Sequence, residues 1–384
     1  MSSSSLKPFR IQVAEEVLYD LRSRLAMAQW PAPTPGKPWE RGTDKDCLQD
    51  LVAYWRSEYD WRAQEAELNK YPHYTCEIDG LPAHFLHIKG KGPNPMPLLL
   101  THGWPDSFLR YWKVIPLLTD PASHGGAATD AFDVIIPSIP GFGYSPLPPE
   151  GGLNAARVAD LWAKLMHEQL GYEKFAAAGG DVGSQVTMHL AFNYPERLLG
   201  IYLNDLGNLD ELMAMDEQEL TAEEKQFRKT AEDWTKKEGG YMSLQSYKPQ
   251  TLAYGLTDSP LGLAAWLSEK FVSWSDSTPG HESALSRDDL LTNLMIYYTT
   301  GSIGSSLQMY YENAHSLPPI GKIKVPAGVS LYPADNLSPP RPWADRKLTT
   351  ILHWKEMPHG GHFTAMEEPT YYATDLREFF RQLR

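Results

Sequence analysis

The sequence predicts an α/β fold in which a mostly parallel β-sheet is covered by helices and interrupted by a helical insertion. Three observations support this prediction. From Tyr74 onward, short apolar runs that end in Gly or Pro alternate with amphipathic helical stretches, as expected for a parallel sheet covered on both faces. This alternation stops after Asp205 and resumes only at "VPAGVSLYPAD". The residues before Tyr74 combine helical periodicity with a proline-rich segment, which indicates a separate N-terminal extension.

Two helices joined by an extended segment make up the predicted extension. Apolar residues recur there at helical spacing in two sets, which are Val17, Leu18, Leu21 and Leu25, and then Leu48, Leu51, Val52 and Trp55. Between these sets, "PAPTPGKP" fits neither a helix nor a sheet ladder, because proline lacks the backbone N–H. We expect this segment to cross the surface in an extended conformation.

The predicted core begins with the hairpin "CEIDGLPAHFLHIKG", in which Asp79 and Gly80 form the turn. Later strands are predicted from apolar runs, which are "PLLLTHGWP", "FDVIIPSIPGFGYSP", "FAAAGG", "LLGIYLND", "VPAGVSLYPAD" and "TTILHWKEMPHGGHF". Helices are predicted from "FLRYWKVIPLL", "AARVADLWAKLMHEQL" and "YYATDLREFFRQL". These patterns divide the chain into an extension (1–75), a first core part (76–205), a helical lid (206–315) and a second core part (316–384).

Composition excludes several classes of protein. The chain has 384 residues, a formal net charge of −13 and no basic stripe, so nucleic acid is not an expected partner. No run approaches the roughly 18 consecutive apolar residues of a membrane-spanning helix, and "MSSSSLKPFR" lacks the apolar core of a secretory signal. Cys47 and Cys76 lack metal-ligand spacing, which favours two reduced thiols. We therefore expect a cytoplasmic protein without a membrane span.

The stretch "FAAAGGDVGSQVTMHL" places an aspartate in a tight turn between a predicted strand and a predicted helix. Gly179 and Gly183 lie two residues before and two residues after Asp181. A nucleophile elbow needs small residues at these positions, because its strained turn holds one reactive side chain above the sheet. We therefore predict that Asp181 is a nucleophile. Aspartate is also favoured at helix N-caps, and that role is the alternative.

A carboxylate at the elbow indicates attack on saturated carbon. A serine that attacked such a carbon would form an ether, which water does not cleave, whereas Asp181 would form an ester. Water activated by a histidine then attacks the ester carbonyl, and an oxyanion hole stabilises the product. The sequence therefore predicts epoxide opening or carbon–halogen cleavage. Ser184 is an alternative nucleophile, although Val182 and Gln185 stand beside it where an elbow needs small residues.

The segment "THGWP" ends a predicted strand and is the expected source of an oxyanion hole. One donor in this architecture is the N–H after the nucleophile, here Val182, and another comes from an earlier strand–helix loop, here Trp104. Gly103 and Pro105 are supporting residues of the same loop. We expect His102 to brace the loop through hydrogen bonds rather than to carry a proton.

A base and an orienting acid are expected late in the chain, because α/β-hydrolases have the order nucleophile, acid, histidine. "PHGGHF" contains His359 and His362. The two glycines before His362 permit the close turn that would aim its imidazole at the elbow, so His362 is the predicted base. Asp335 follows a predicted strand and is the expected partner of His362. Asp205 also follows a strand and is the alternative acid.

Several segments resemble the epoxide hydrolases, in the branch that is similar to the microsomal enzyme with its N-terminal extension domain. They are "THGWPDSF", "GGDVGS", "GGYMSLQSYKPQTLAYGLTDSPLGLAAW", "DDLLTNLMIYYTTGSIGSS", "HGGHFTAMEEP" and "YWRSEYDWRAQEAELNKYP", and the resemblance covers almost the whole chain. It implies an α/β-hydrolase fold with an N-terminal meander around the core and a helical lid. It also implies that two lid tyrosines hydrogen-bond the epoxide oxygen. These are Tyr241 and Tyr310, with Tyr311 as the other candidate for the second. A phenol is neutral near pH 7, so it donates without acting as a base.

Residues and resemblance together predict an epoxide hydrolase that converts an apolar epoxide and water to a vicinal diol through an ester on Asp181. No metal and no organic cofactor is expected, and the partners are the epoxide and water. A haloalkane-type dehalogenase is the alternative, although such enzymes usually hold the halide with an indole N–H where this chain has Val182. A serine esterase and a catalytically silent binding protein on the same scaffold also stay open. So do a homodimer, the identity of the epoxide, and a role in detoxification, catabolism or biosynthesis.

Overall fold

A single mixed β-sheet organises the protein, for which a computed structural model describes residues 6–206, 209–279, 281 and 283–384. Within these residues nine strands follow the order β1-β2-β3-β5-β4-β6-β7-β8-β9. The strands are β1 (Lys7–Phe9), β2 (His73–Ile78), β3 (Leu81–Ile88), β4 (Met96–Thr101), β5 (Phe132–Pro137), β6 (Phe175–Gly179), β7 (Leu198–Leu203), β8 (Ala327–Leu331) and β9 (Ile351–Glu356).

The sheet is antiparallel at one edge and parallel elsewhere. Strands β1, β2, β3 and β5 pair antiparallel in that order, and β2 and β3 form the predicted hairpin. The remaining pairs, from β5 through β4, β6, β7 and β8 to β9, are parallel. The prediction of a mostly parallel sheet is therefore confirmed. Strand β1 was not predicted, because three residues that include a proline carry no strand periodicity.

Helices cover both the sheet and its carboxyl edge. The extension contains α1 (Glu15–Ala26), α2 (Lys45–Ser57) and α3 (Trp61–Leu68). The first core part contains α4 (Ile115–Thr119), α5 (Ala155–Lys164) and α6 (Val182–Asn193). Between β7 and β8 lie α7 (Leu209–Ala214), α8 (Ala222–Glu238), α9 (Gly240–Tyr247), α10 (Pro249–Asp258), α11 (Pro260–Trp274), α12 (Arg287–Thr300) and α13 (Ile303–Ser316). The chain ends with α14 (Arg341–Lys347), α15 (Thr364–Glu367) and α16 (Pro369–Arg381).

The core forms where the predicted apolar runs meet. All six residues of β5 and all five of β6 are buried, as expected for strands that are covered on both faces. The predicted stripe of the last helix is Tyr372, Leu376, Phe379 and Leu383. Helix α16 buries the first three against this sheet, and Leu383, which lies beyond the end of the helix, is partly buried. The predicted helix "FLRYWKVIPLL" is instead a 3₁₀ segment (Phe108–Val114) followed by the short α4. Pro116 lies in the first turn of α4, where its missing N–H is tolerated, and so it favours a new helix start there.

The N-terminal extension packs on the helices of the insertion. The predicted stripes of α1 and α2 are buried, apart from the partly buried Val17, and both helices contact α11. Tyr54 donates a hydrogen bond of 2.8 Å to Asp288 of α12. Residues 31–38 form neither helix nor strand, as predicted.

Of the helices in the described ranges, none combines the length and the apolar character that crossing a bilayer requires. Cys47 is exposed, Cys76 is buried, and both are free thiols.

Candidate active site

The turn between β6 and α6 holds Asp181 in a strained conformation. Its φ angle of 56° lies in the left-handed region, which is uncommon for a residue other than glycine. A Cβ atom on Gly179 would lie 2.2 Å from the carbonyl oxygen of Gly183, and one on Gly183 would lie 2.0 Å from that of Thr101. Only glycine fits at both positions, so the chain has the tight geometry that the spacing predicted.

The carboxylate of Asp181 contacts the loop that follows β4. The backbone N–H of Trp104 donates a 2.8 Å hydrogen bond to its Oδ1. Asp181 occupies the N-cap position of α6, but its side chain caps no N–H of that helix, so the simpler N-cap role is not what the geometry shows. A Cβ atom on Gly103 would lie 2.4 Å from Oδ1, which explains the glycine there. Val182 is the first residue of α6, where a helical N–H has no intrahelical partner.

The other residues of the loop hold it in place. His102 is fully buried; its Nδ1 lies 2.9 Å from the carbonyl oxygen of Gly103, and its Nε2 accepts a 3.1 Å hydrogen bond from Ile139 N–H. Pro105 follows a cis peptide bond, and its carbonyl oxygen accepts a 2.7 Å hydrogen bond from Asn293 of α12. The loop is therefore tied to both the core and the insertion.

His362 lies between two carboxylates. Its Nδ1 is 2.8 Å from Oδ1 of Asp335, and its Nε2 is 3.5 Å from Oδ2 of Asp181. The second distance exceeds the usual 2.7–3.2 Å of an N–H···O hydrogen bond. Burial alone would lower the pKa of His362, but the negative charges of Asp335 and Asp181 raise this pKa to about 10. The imidazole of the free protein is therefore charged at neutral pH.

Asp205, the alternative acid, and Ser184, the alternative nucleophile, do not take the positions of Asp335 and Asp181. Asp205 lines the same cavity, but it is Asp335 that accepts the 2.8 Å hydrogen bond from Nδ1 of His362. The hydroxyl of Ser184 is fully buried and donates to the carbonyl oxygen of Gly179 at 3.0 Å. The hydroxyl of Ser184 therefore stabilises the elbow from within the core.

Tyr241 and Tyr310 face the elbow from the insertion. Their ring centroids are 5.9 Å apart, and they lie 5.5 and 5.6 Å from the ring of Trp104. Burial raises the pKa of both phenols above its usual value, and the charge of Asp181 raises each further. Both are therefore neutral donors at physiological pH. Tyr311 is 39% exposed and stacks on His315, so it points away from the elbow.

These groups line one cavity of about 520 Å³ between the insertion and the core, a volume typical of a small-molecule site. Asp181, His362, Asp335, Tyr241 and Tyr310 all contribute to its walls. A larger open groove of about 1150 Å³ lies between α1 and α10, and none of these five residues lines it.

Sequence reasoning missed three charged residues beneath the site. Asp106 accepts from the N–H of Gly103 at 2.8 Å and forms a fully buried ion pair with Arg110. Burial would raise the pKa of Asp106, but Arg110 and His102 lower it to about 2. Arg110 also donates to the carbonyl oxygen of His362 at 2.6 Å. An Asp and an Arg four residues apart in "DSFLR" were the available signal.

The third missed residue is Glu367, which is 1% exposed. Its carboxylate accepts backbone N–H groups from Gly361 at 3.2 Å and Phe363 at 2.8 Å, on either side of His362. It also accepts from Asp276 N–H at 2.7 Å. In the sequence it resembled any acid within a helix, so nothing distinguished it.

Comparisons with known proteins agree with this geometry. Residues 6–111 match the family described as "Epoxide hydrolase N terminus", and residues 96–260 match the family described as "alpha/beta hydrolase fold". Epoxide hydrolase 1 of Oryctolagus cuniculus is 37% identical, over 99% of this chain and 89% of the relative. The crystal structure of juvenile hormone epoxide hydrolase from Bombyx mori has a TM-score of 0.87 at 30% identity, covering 99% of this chain and 95% of that one.

The Aspergillus niger epoxide hydrolase structure has a TM-score of 0.85 at 28% identity, covering 100% of this chain and 98% of that one. The match therefore extends over the extension, the core and the insertion alike. With this coverage and with an aspartate at the elbow, the chain belongs to the epoxide hydrolase family of the α/β-hydrolase fold.

Proposed function

We propose that this epoxide hydrolase opens apolar epoxides through an ester on Asp181, with His362 as base and Asp335 as its orienting acid. The observation that carries the proposal is the position of Asp181. Its carboxylate stands at a strained apex, 2.8 Å from a backbone N–H and 3.5 Å from Nε2 of His362. A carboxylate placed in this way is suited to nucleophilic attack.

In the first step, an oxygen of Asp181 attacks one epoxide carbon. The carbon–oxygen bond of the ring breaks, and the departing oxygen takes a proton from Tyr241 or Tyr310. The raised pKa of both phenols supports this role, because a neutral phenol stabilises a developing alkoxide by donating to it. The product is a hydroxyalkyl ester on Asp181. The imidazolium of His362 then gives its proton to the phenolate, which leaves a neutral imidazole for the next step.

In the second step, Nε2 of His362 removes a proton from water, which attacks the ester carbonyl. Nε2 makes no hydrogen bond to another side chain among the described residues, which supports this use. The N–H groups of Trp104 and Val182 stabilise the oxyanion, at roughly 3 kcal/mol per donor. The ester carbon–oxygen bond then breaks, and the departing alkoxide takes the proton of the carboxyl group formed on Asp181. The diol leaves, and the carboxylate of Asp181 and the imidazolium of His362 are both restored.

The lining of the cavity supports an apolar substrate. Part of its wall is apolar and includes the side chains of Leu206, Phe227, Trp234, Met242 and Leu317, beside further polar residues such as Gln185, His189 and Lys347. Such a lining gains free energy by burying apolar surface, at about 25 cal/mol per Å². The helical insertion then acts as a lid that excludes bulk water from the ester. Free thiols at Cys47 and Cys76 support a cytoplasmic location.

The decisive experiment is trapping. His362→Gln should still form the ester with styrene oxide but should fail to hydrolyse it, so the peptide that contains Asp181 should gain the mass of the substrate. Asp181→Asn is the matched control and should show no adduct. In a single turnover of the unaltered enzyme in ¹⁸O-water, the label should first enter the carboxylate of Asp181. A diol that carried the label while Asp181 stayed unlabelled would overturn the proposal.

A further inference from the structure

Four side chains of metal-ligand type meet where the helical insertion contacts the loop that carries His362. Asp276 and His281 follow α11 in the insertion, whereas His359 and Glu368 belong to the core segment after β9. His359 is the histidine of "PHGGHF" for which the proposed reaction has no use. The cluster therefore joins two parts of the chain that are distant in sequence.

The side chains lie close to one another. Nε2 of His281 is 2.6 Å from Oε1 of Glu368 and 4.0 Å from Oδ2 of Asp276. The rings of His281 and His359 stack with centroids 4.3 Å apart and an interplanar angle of 6°. One ligand atom each from Asp276, His281 and His359 lies within 4.8 Å of the others.

Asp276 is the anchored member of the cluster. Its side chain is 1% exposed, and its two oxygens accept the N–H groups of Thr278 and Gly360 at 2.9 Å each. Burial would raise the pKa of Asp276, but these hydrogen bonds and His281 lower it to about 2. A fixed, ionised carboxylate beside two imidazoles supplies both the charge and the donor atoms that a divalent cation needs.

We propose that Asp276, His281 and His359 bind one Zn²⁺ ion, with Glu368 as a fourth ligand or as the hydrogen-bond partner of His281. Imidazole nitrogen and carboxylate oxygen are common ligands of Zn²⁺, with bond lengths near 2.0–2.2 Å. Ca²⁺ and Mg²⁺ favour oxygen ligands throughout, so two imidazoles disfavour both ions. Small side-chain rotations must unstack the two rings and direct one nitrogen of each toward the ion.

An ion bound by these residues would link the insertion to the core. The N–H of His362 donates to the carbonyl oxygen of Trp274 at 2.8 Å, and Gly360 N–H donates to Asp276 at 2.9 Å. A bound ion adds a coordinate link beside these two hydrogen bonds. Because it binds the folded protein, it raises the melting temperature, and chelation reverses the rise.

Calorimetric titration of the metal-free full-length chain with ZnCl₂ tests the proposal. The expected result is one saturable Zn²⁺ per chain, with a rise in Tm that EDTA reverses. His281→Gln and His359→Gln should each lose at least tenfold in Zn²⁺ affinity and lose the rise in Tm. His124→Gln, which changes an exposed histidine in a 3₁₀ segment outside the cluster, should bind as the unaltered chain does.

Metal-free epoxide turnover serves as the fold control, since neither His281 nor His359 belongs to the proposed catalytic groups. Both variants should keep that turnover within about twofold. The absence of saturable Zn²⁺ binding to the unaltered chain would overturn the proposal. So would binding that persists in both variants, which would place the ion elsewhere, for example at His362. Because binding is measured without substrate, either failure leaves the proposed hydrolysis untouched.

Discussion

Nε2 of His362 lies 3.5 Å from Oδ2 of Asp181, so the proposed base faces the proposed nucleophile directly. In the free enzyme, this carboxylate and that of Asp335 raise the pKa of His362 to about 10, against the opposing effect of burial. Formation of the ester removes the charge of Asp181. The pKa of His362 then falls, because one of the two negative charges beside it is lost. Ester formation therefore favours the neutral imidazole that the second step needs.

The first prediction follows from this coupling. Asp181→Asn should lower the pKa of His362, because a neutral amide no longer stabilises the imidazolium. The change should be measured by NMR titration of the histidine Hε1 signals. His87 is the internal control, since burial and Lys89 lower its pKa to about 4 and neither depends on Asp181. An unchanged pKa for His362 in Asp181→Asn would contradict the coupling.

The second prediction concerns the two tyrosines. Tyr241→Phe and Tyr310→Phe should each slow ester formation by about 10²-fold, and the double variant should be slower still, because the departing oxygen loses its proton donors. Single-turnover kinetics with excess enzyme isolate this step.

Tyr311→Phe is the matched control for this pair. It changes an exposed neighbour of Tyr310 that stacks on His315, so ester formation should keep its rate. If Tyr311→Phe slowed the step as much as Tyr310→Phe did, the assignment of the second tyrosine would be wrong.

The parts of this site that could be predicted from the sequence are those that depend on local geometry. The elbow lies within one strand, one turn and one helix, so the spacing of Gly179, Asp181 and Gly183 carried the information. His362 and Asp335 were predicted from chain order together with the ends of apolar strands. The family resemblance, rather than any periodicity, provided Tyr241.

Long-range contacts explain what sequence reasoning missed. Arg110 donates to the carbonyl of His362 across 252 positions, and β1 pairs with β2 through Lys7 and Thr75. Such contacts depend on how elements pack after they form, and no local pattern encodes them. Glu367 was missed for the same reason, because its carboxylate meets its backbone N–H donors only after the loop around His362 has folded around it.

The third prediction concerns Glu367. Burial raises the pKa of its carboxyl to about 7 from an ordinary value of 4.5. Between these values the folded protein binds more protons than the unfolded chain, so the free energy of unfolding falls as pH rises. The fall has an upper limit on the order of 3 kcal/mol. Glu367→Gln removes this ionisation, and urea denaturation at pH 4.5 and pH 7.5 should show a smaller fall in the variant.

Glu367→Ala separates charge from hydrogen bonding. It leaves three buried N–H groups without their acceptor, at about 1–3 kcal/mol for each unsatisfied group, and it should also lower kcat because two of them flank His362. Glu367→Gln keeps an acceptor oxygen and should retain more activity than Glu367→Ala. Equal activity in the two variants would mean that these hydrogen bonds do not position His362.

The last prediction tests the close approach of two backbone segments. Gly103→Ala would place a methyl group 2.4 Å from Oδ1 of Asp181, so the carboxylate must move away from the N–H of Trp104. A displacement near 1 Å at a nucleophile costs about 10²-fold in rate, and kcat for styrene oxide should fall by that factor. Gly255→Ala is the control, because its Cβ would meet no atom within 4 Å, on the exposed face of α10. That variant should keep kcat and gain about 0.5–1 kcal/mol in unfolding free energy. If Gly103→Ala kept the rate of Gly255→Ala, contact between the β4 loop and Asp181 would not control the position of the nucleophile.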